Sequence, residues 1–350
     1  QSFAQDVATE PPASLHPNSR WIAASWDELP GAFEDDPREA LVAWLASCTR
    51  AQVSWRKACS ELSALKNADS EVIRIWMIGR LQPYRIEPLA VNAASSTGLL
   101  TGYYEPVLPA RREADATFAY PLYRVPADLE RGGSARTWFT RQEIDTAGSE
   151  AQSGLQGRAI AYLQSPLDVL ALHIQGSGQL DLLQTDGTHQ RIRLAFAGSN
   201  NQPYKSVGAW LRETHGVRDL SWPAIKAWAL AHPEQMNALM WSNPRVVFFK
   251  ESSASSEGQA LVGPKGAQGL PLTAGRSIAV DPKSIPYGTP VWLMSSGASV
   301  NLKRLVIAQD TGAAITGAVR ADYYVGSGDV AGEIAGKLKQ NLQMWALWPK

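Results

Sequence analysis

Cysteine is scarce in this 350-residue chain, net charge is zero, and no long apolar run occurs. With 33 basic residues balancing 33 acidic ones, the composition carries no electrostatic footprint for nucleic acid or a membrane surface. Partners of neutral or mixed character are expected. No stretch reaches the roughly 18 uninterrupted apolar residues of a membrane-spanning helix. Internal repeats, low-complexity tracts and blocks of like charge are missing as well. The chain opens at Gln1 without Met, a signal-peptide pattern or an N-terminal lipidation cysteine, which reads as a processed or trimmed product.

The two cysteines are Cys48 and Cys59. On one unbroken helix their Cα atoms would stand about 16 Å apart at about 1.5 Å per residue, beyond the reach of a bridge. If "TRAQVSW" turns between two short helices, "EALVAWLAS" and "RKACSELSAL", a disulfide becomes possible and would suit an oxidising compartment.

What is present is ordinary for a folded protein: 45% apolar and 19% charged residues, in a length that suggests two domains. Thirteen Trp and ten Tyr supply flat amphipathic rings, most for the core and some suited to stacking on sugar faces. The first part, to about Lys66, reads as mostly helical. From "RIEPLAVN" onward, short strands punctuated by Gly and Pro take over, as in "TGLLTGYYEPVLPARR", "YPLYRVP" and "ALHIQGSGQLDL". Helical spacing returns in "YKSVGAWLRETHG" and "WPAIKAWALAHPEQMNALMW". After a Ser- and Gly-rich loop over 252–269 come the strands "GRSIAVD", "PVWLMSS" and "RLVIAQD". The closing "DVAGEIAGKLKQNLQMWAL" spaces Ala331, Ala335, Leu338 and Leu342 as one helical face, with Asp329 as N-cap. Short strands in this number favour β-barrels with helical additions over a doubly wound sheet.

Two of the strands share a design: "SIAVD" and "LVIAQD" are apolar runs ending on Asp281 and Asp310, and Asp322 follows closely. A strand end presents a side chain from a rigid scaffold, so neighbouring strands would bring the three carboxylates to one rim. The bland alternative is that each Asp caps a turn. A divalent-metal site is a third option, against which all five histidines lie outside this segment and no EF-hand spacing occurs. Asp310-Thr311-Gly312 also resembles an aspartic-protease triplet. That chemistry needs two such aspartates, and with a single Asp-Thr-Gly and no Asp-Ser-Gly the chain would have to act as a homodimer. "HIQGSGQLD" lacks the third glycine of a dinucleotide fingerprint, because Asp181 stands there.

The segment "GPKGAQGLPLTAGRSIAVDPKSIPYGTPVWL" with "IAQDTGAAITGAVRADYYVGSGD" closely resembles the three-aspartate block of the membrane-bound lytic murein transglycosylase A family. "LLTGYYEPVLPARR", "YPLYRVPADL" and "LALHIQGSGQLDL" resemble further blocks in the same order, so the likeness runs from about Leu99 to the C-terminus. The resemblance implies a mainly β fold with helical additions. A double-psi β-barrel domain (1–104 with 244–350) would carry an inserted β-rich domain (105–243), with peptidoglycan glycan in the groove between them. It makes Asp310 catalytic and Asp281 and Asp322 its supporting companions, with Gly312 and Gly317 allowing the glycan close to the backbone. Thr101, Gly102, Tyr103, Gln175, Gly176, Ser177 and Gly178 become the expected sugar contacts. Glu105 is a tempting second acid, but its place before Pro106 is an equally good structural reason for it; His173 reads as a satisfied structural residue. A monomer that needs no cofactor, metal or nucleic acid is expected, periplasmic and outer-membrane associated through an anchor outside this chain. The rivals are a hydrolytic muramidase and a peptidoglycan-binding protein without turnover.

Overall fold

The computed structural model describes residues 13–90, 97–132, 136–252, 263–298 and 300–350. The N-terminal start and most of the loop over 252–269 lie outside them. By internal contacts the chain divides into two units: 1–102 with 265–324 and 338–350, and 103–264 with 325–337. The expected 105–243 insert lies within the second unit, which also takes in the flanking residues and the 325–337 segment. Each unit has its own β-sheet body and its own helices, so the fold is mixed α/β.

In the first unit the expected apolar strands form as Ser277–Val280, Pro290–Ser296 and Asn301–Asp310. Ser277–Val280, 290–293 and 305–309 are buried without interruption, as strands covered on both faces must be. Asn301–Asp310 runs antiparallel to Pro290–Ser296 and parallel to Ser277–Val280, which lies antiparallel to Arg320–Ser327. Arg320–Ser327 neighbours Gly98–Glu105, and Lys339–Pro349 pairs with both Gly98–Glu105 and Pro290–Ser296. The six strands therefore close into a ring without open edges. Outside the ring, Lys339–Pro349 also pairs with Leu81–Glu87, which continues into Ser19–Ala23 and Ala13–His16.

Two expectations about this unit are corrected. Among the described residues up to Lys66 the helices are preceded by two strands: Pro17 and Asn18 form the two-residue turn of a hairpin, since His16 is paired with Ser19. Nor does the final helix reach the C-terminal end. It spans Asp329–Lys337, with Asp329 its first residue rather than its cap, and Lys339–Pro349 is a strand. Leu342, Met344 and Ala346 alternate into the core there, and the period of two prevails because flanking strands satisfy the backbone along its length.

Helices Arg38–Cys48, Arg56–Ala64 and Ser70–Arg80 pack on the ring through Trp44, Leu62, Ile73 and Met77 against Trp292, Leu305, Ile307 and Trp345. Trp44 stands edge-on to Trp55 and Trp76 at 6.3 and 5.7 Å. All thirteen tryptophans are buried or half-buried. The residues between the first two helices do turn, through a short 3-10 segment at Val53–Trp55, and Cys48 and Cys59 form a disulfide with Cα atoms 5.5 Å apart.

In the second unit Val107–Ala110 lies parallel to Gly178–Leu183, which pairs with His189–Ser199, and that with Val247–Ser252. Tyr120–Tyr123 and Ala159–Leu163 form a separate pair. Helices Pro166–Gln175, Val207–His215, Trp222–Ala231 and Met236–Trp241 share a core around Leu170, Leu211, Ala229 and Leu239. "ALHIQ" is thus helical rather than extended. Ser165 caps the start, Pro166 takes the first turn, and Gly176 ends the helix at φ +79°.

Opening the Cys48–Cys59 loop in a Cys48→Ser/Cys59→Ser variant is expected to cost about 3 kcal/mol of stability, from the entropy of a loop of this length. Urea unfolding of wild type and variant under non-reducing conditions measures it.

Candidate active site

The geometry begins at Ala279, which is paired on one side with Asp310 and on the other with Asp322. Residues opposite one another in adjacent strands share a face, so the two carboxylates flank one small side chain, with Cα atoms about 9–10 Å apart across two strand spacings. Ile278 is paired with Ala308, yet Ala279 is paired with Asp310. One extra residue, Gln309, is therefore accommodated as a bulge. Without it Gln309 would stand opposite Ala279, so the bulge re-aims the strand end and delivers the carboxylate. Asp281 follows two residues after Ala279, past the end of the strand.

The environments of the three acids differ. Asp281 is 5% exposed, and its carboxylate accepts from Gly317 N (2.8 Å), Asn18 Nδ2 (2.8 Å) and Lys283 N (2.9 Å). Burial pushes its carboxyl up, but these donors outweigh burial and hold it below the usual range, so Asp281 is an ionised brace. Asp322 is half-buried. Its Oδ1 accepts from Thr101 Oγ1 at 2.5 Å, and Thr101 in turn accepts from Arg320 Nη2 at 2.9 Å. Burial raises the Asp322 carboxyl to about 6, with the charge of Asp310 acting in the same sense against Thr101 and Arg320. Asp310 is half-buried, and its Oδ1 accepts from Ala267 N (2.8 Å) and Thr311 N (2.9 Å). The Tyr287 hydroxyl, raised by burial, also feels Asp310 and Asp281. The three aspartates thus act on a common neighbourhood, one braced, one raised and one held by backbone N–H groups.

The expected sugar contacts divide between the units. Thr101 and Gly102 lie in the first, where Thr101 is bound to Asp322. Tyr103 follows, half-buried, at the start of the second. There Gln175 Oε1 accepts from Tyr104 N at 3.3 Å, and Ser177 stands half-buried between Gly176 and Gly178. Both glycines have local reasons: Gly176 ends the helix in a left-handed conformation, and a Cβ on Gly178 would come within 2.2 Å of Leu172. Glu105 is no available acid. Fully buried, it is held by Arg193 (2.7 and 3.0 Å), Gln179 (2.7 Å) and Ser327 (2.9 Å). His173 stands on a helix rather than a strand, stacked on Phe249 with Arg141 3.0 Å from its Nδ1, a structural residue. Sequence reasoning missed Ala267, Asn18 and Arg320. The first acts through its backbone, Asn18 lies in a segment that carries no motif, and Arg320 lies inside the three-aspartate block but is marked by no pattern of its own.

The chain that carries these residues is similar to known proteins. Residues 99–250 match the MltA specific insert domain and residues 276–348 match the 3D domain. The chain is 34% identical over 279 residues to the membrane-bound lytic murein transglycosylase A of Escherichia coli K12, covering 76% of this chain and 70% of that protein. A crystal structure of MltA from Neisseria gonorrhoeae superimposes with a TM-score of 0.77 at 27% identity, covering 97% of this chain and 95% of that one. The E. coli MltA structure with bound chitohexaose has the same fold, with a TM-score of 0.71 at 24% identity over 99% of this chain and 96% of that one. No helix among the described residues is long and apolar enough to cross a membrane.

The raised Asp322 carboxyl sets a pH dependence. Its folded-state value near 6 lies above the ordinary one, so its stabilising effect is complete at low pH and is lost as pH rises from about 4 to about 6. A shift of about two units corresponds to about 3 kcal/mol. Asp322→Asn should therefore be more stable than wild type at pH 7 by up to that amount, with the difference vanishing toward pH 4. Denaturant unfolding at both pH values reads it.

Proposed function

The chain belongs to the MltA family of membrane-bound lytic murein transglycosylases, and from that premise we propose that it cleaves the β-1,4 bond between N-acetylmuramic acid and N-acetylglucosamine in peptidoglycan, with Asp310 as acid and then base. In this reading the 6-hydroxyl of the muramic acid attacks its own anomeric carbon, the glycosidic C–O bond breaks, and a 1,6-anhydro ring closes without water. Protonated Asp310 donates to the leaving glycosidic oxygen, and its carboxylate then accepts the proton of the attacking hydroxyl. Ordinary glycosidases need two carboxylates because water or the enzyme supplies the nucleophile. Here the substrate supplies it, and such oriented intramolecular attack reaches effective molarities of about 10⁵–10⁸ M.

The observation that carries the reading is the bulge that turns Asp310, and not Gln309, into register beside Ala279. Asp281 is spoken for by its three donors, and Glu105 by its ion pair and hydrogen bonds, which leaves Asp310 and Asp322 as the acids near the ring rim. Asp322 changes charge near pH 6 and so alters the field that Asp310 experiences. Thr101 and Gly102 beside Asp322, with Tyr103, Gln175, Gly176, Ser177 and Gly178, are the proposed sugar contacts. Gln175 and Ser177 offer an amide and a hydroxyl to an N-acetylated sugar. The chitohexaose held by the E. coli homologue is an oligomer of such sugars. The closed six-strand ring suits a double-psi β-barrel, and the disulfide suits a periplasmic location.

Digestion of purified sacculi with mass analysis of the released muropeptides tests the function. Wild type should release products lighter by one water than those of hydrolysis. Asp310→Asn should lose about 10²-fold to 10⁴-fold or more of the rate with its fold intact, while Asp281→Asn and Asp322→Asn lose only part. Full activity of Asp310→Asn removes the mechanism. Reducing ends in the product mean a muramidase, and binding without release means a protein that only holds peptidoglycan.

A further inference from the structure

The segment that supplies Ala267 N–H to Asp310 is tied to the helical part of the first unit by a buried polar network. Ser47, the penultimate residue of helix Arg38–Cys48, donates from Oγ to Gln268 Oε1 at 2.9 Å and accepts from Gln309 Nε2 at 2.9 Å. Gln309 Nε2 also donates to Ala43 O at 3.0 Å, and Gln309 Oε1 accepts from Ser277 Oγ at 2.5 Å. The backbone of Gln268 is held at both ends: its N–H donates to Gln309 O at 3.0 Å, and its carbonyl accepts from Arg50 Nη1 at 3.0 Å. Ser47, Gln268 and Gln309 are 3%, 8% and 0% exposed. Gly266 completes the approach, since a Cβ there would come within 2.7 Å of Gln309 O and 3.3 Å of the Asp310 Cβ.

Three polar side chains buried beside a tryptophan-rich core are costly unless every group is bonded, and an apolar set of the same size would hold a helix to a sheet without that demand. What the polar set adds is direction. Gln309 is the bulge residue that brings Asp310 into register, and Gln268 follows the residue whose N–H meets Asp310 Oδ1. Both converge on Ser47, which the Cys48–Cys59 disulfide fixes next in the chain.

We infer that Ser47, Gln268 and Gln309 are positioning residues that hold the Ala267 N–H against Asp310 and so set the aim of its carboxylate. The inference rests on the reading of Asp310 as the proton carrier. None of the three acts on the sugar. Gln268 fixes the donor, Gln309 fixes the strand end, and Ser47 locks the two together.

The test uses the full chain as Gln268→Ala and Ser47→Ala, with Asp310→Asn alongside. Turnover and half-saturating concentration on soluble glycan chains, affinity for chitohexaose, and hydrogen exchange at the Ala267 amide by NMR are measured well below each variant's melting temperature. Gln268→Ala keeps both backbone bonds of residue 268, so it serves if Ser47→Ala fails to fold. The expected result is kcat lower by about 10-fold to 100-fold, the scale of a small misalignment at a reacting group. Chitohexaose affinity should stay unchanged, and the Ala267 amide should exchange at least about tenfold faster, as local opening frees it. Adding Gln268→Ala to Asp310→Asn should cost nothing more, because the two act on one step. Wild-type kcat and unchanged Ala267 exchange in Gln268→Ala would overturn the inference, as would a loss residing wholly in affinity. If Asp310→Asn itself stays active, the catalytic reading fails, and the amide exchange still decides whether these residues hold Ala267.

Discussion

Everything at this site depends on the register in which Ser277–Val280 lies between two strands of opposite direction. Ala279 faces Asp310 across a parallel pairing and Asp322 across an antiparallel one, and a single extra residue in the first of these strands decides which side chain arrives. A slip of one position would exchange a fully buried amide for the acid, because side chains alternate along a strand. The closed ring protects that register, since no strand in it can shift without breaking ladders on both sides. The role proposed for one carboxylate is therefore inseparable from the topology that surrounds it.

Three like groups in one neighbourhood are made unlike by their partners. Asp281 spends its oxygens on three N–H donors and stays charged, acting as a brace between the 312–317 turn and Asn18. Asp322 pairs with a hydroxyl and sits near a guanidinium, yet burial wins and lifts it. Asp310 receives two backbone N–H groups from different segments, one of them fixed by a network that reaches helix Arg38–Cys48. Environments that push apart the protonation of neighbouring acids are the physical basis on which distinct roles can be assigned.

Much of this was legible beforehand, and the limits have physical causes. The apolar runs ending on aspartates, the turn between the cysteine-bearing helices and the helices after residue 203 all announce themselves through periodicity and punctuation. The bulge at Gln309 does not, because "IAQD" reads the same whether Gln309 or Asp310 stands opposite Ala279. The C-terminal strand was hidden because its residues satisfy both a helical and an alternating pattern, and only the partner strands decide between them. The glycines of "QGSG", proposed as sugar contacts, also have local roles that the sequence does not show: Gly176 ends a helix and Gly178 lies tight against Leu172. Ala267 was invisible because a backbone donor leaves no trace in residue identity.

The most direct measurement is a crystal structure of the Asp310→Asn protein with an intact glycan that includes N-acetylmuramic acid. A single acid that serves both proton transfers requires residue 310 to lie about 2.6–3.2 Å from the glycosidic oxygen, with the muramic 6-hydroxyl turned toward its own anomeric carbon. A glycan whose scissile oxygen sits instead against Asp322 or Asp281, with residue 310 out of reach, would contradict it.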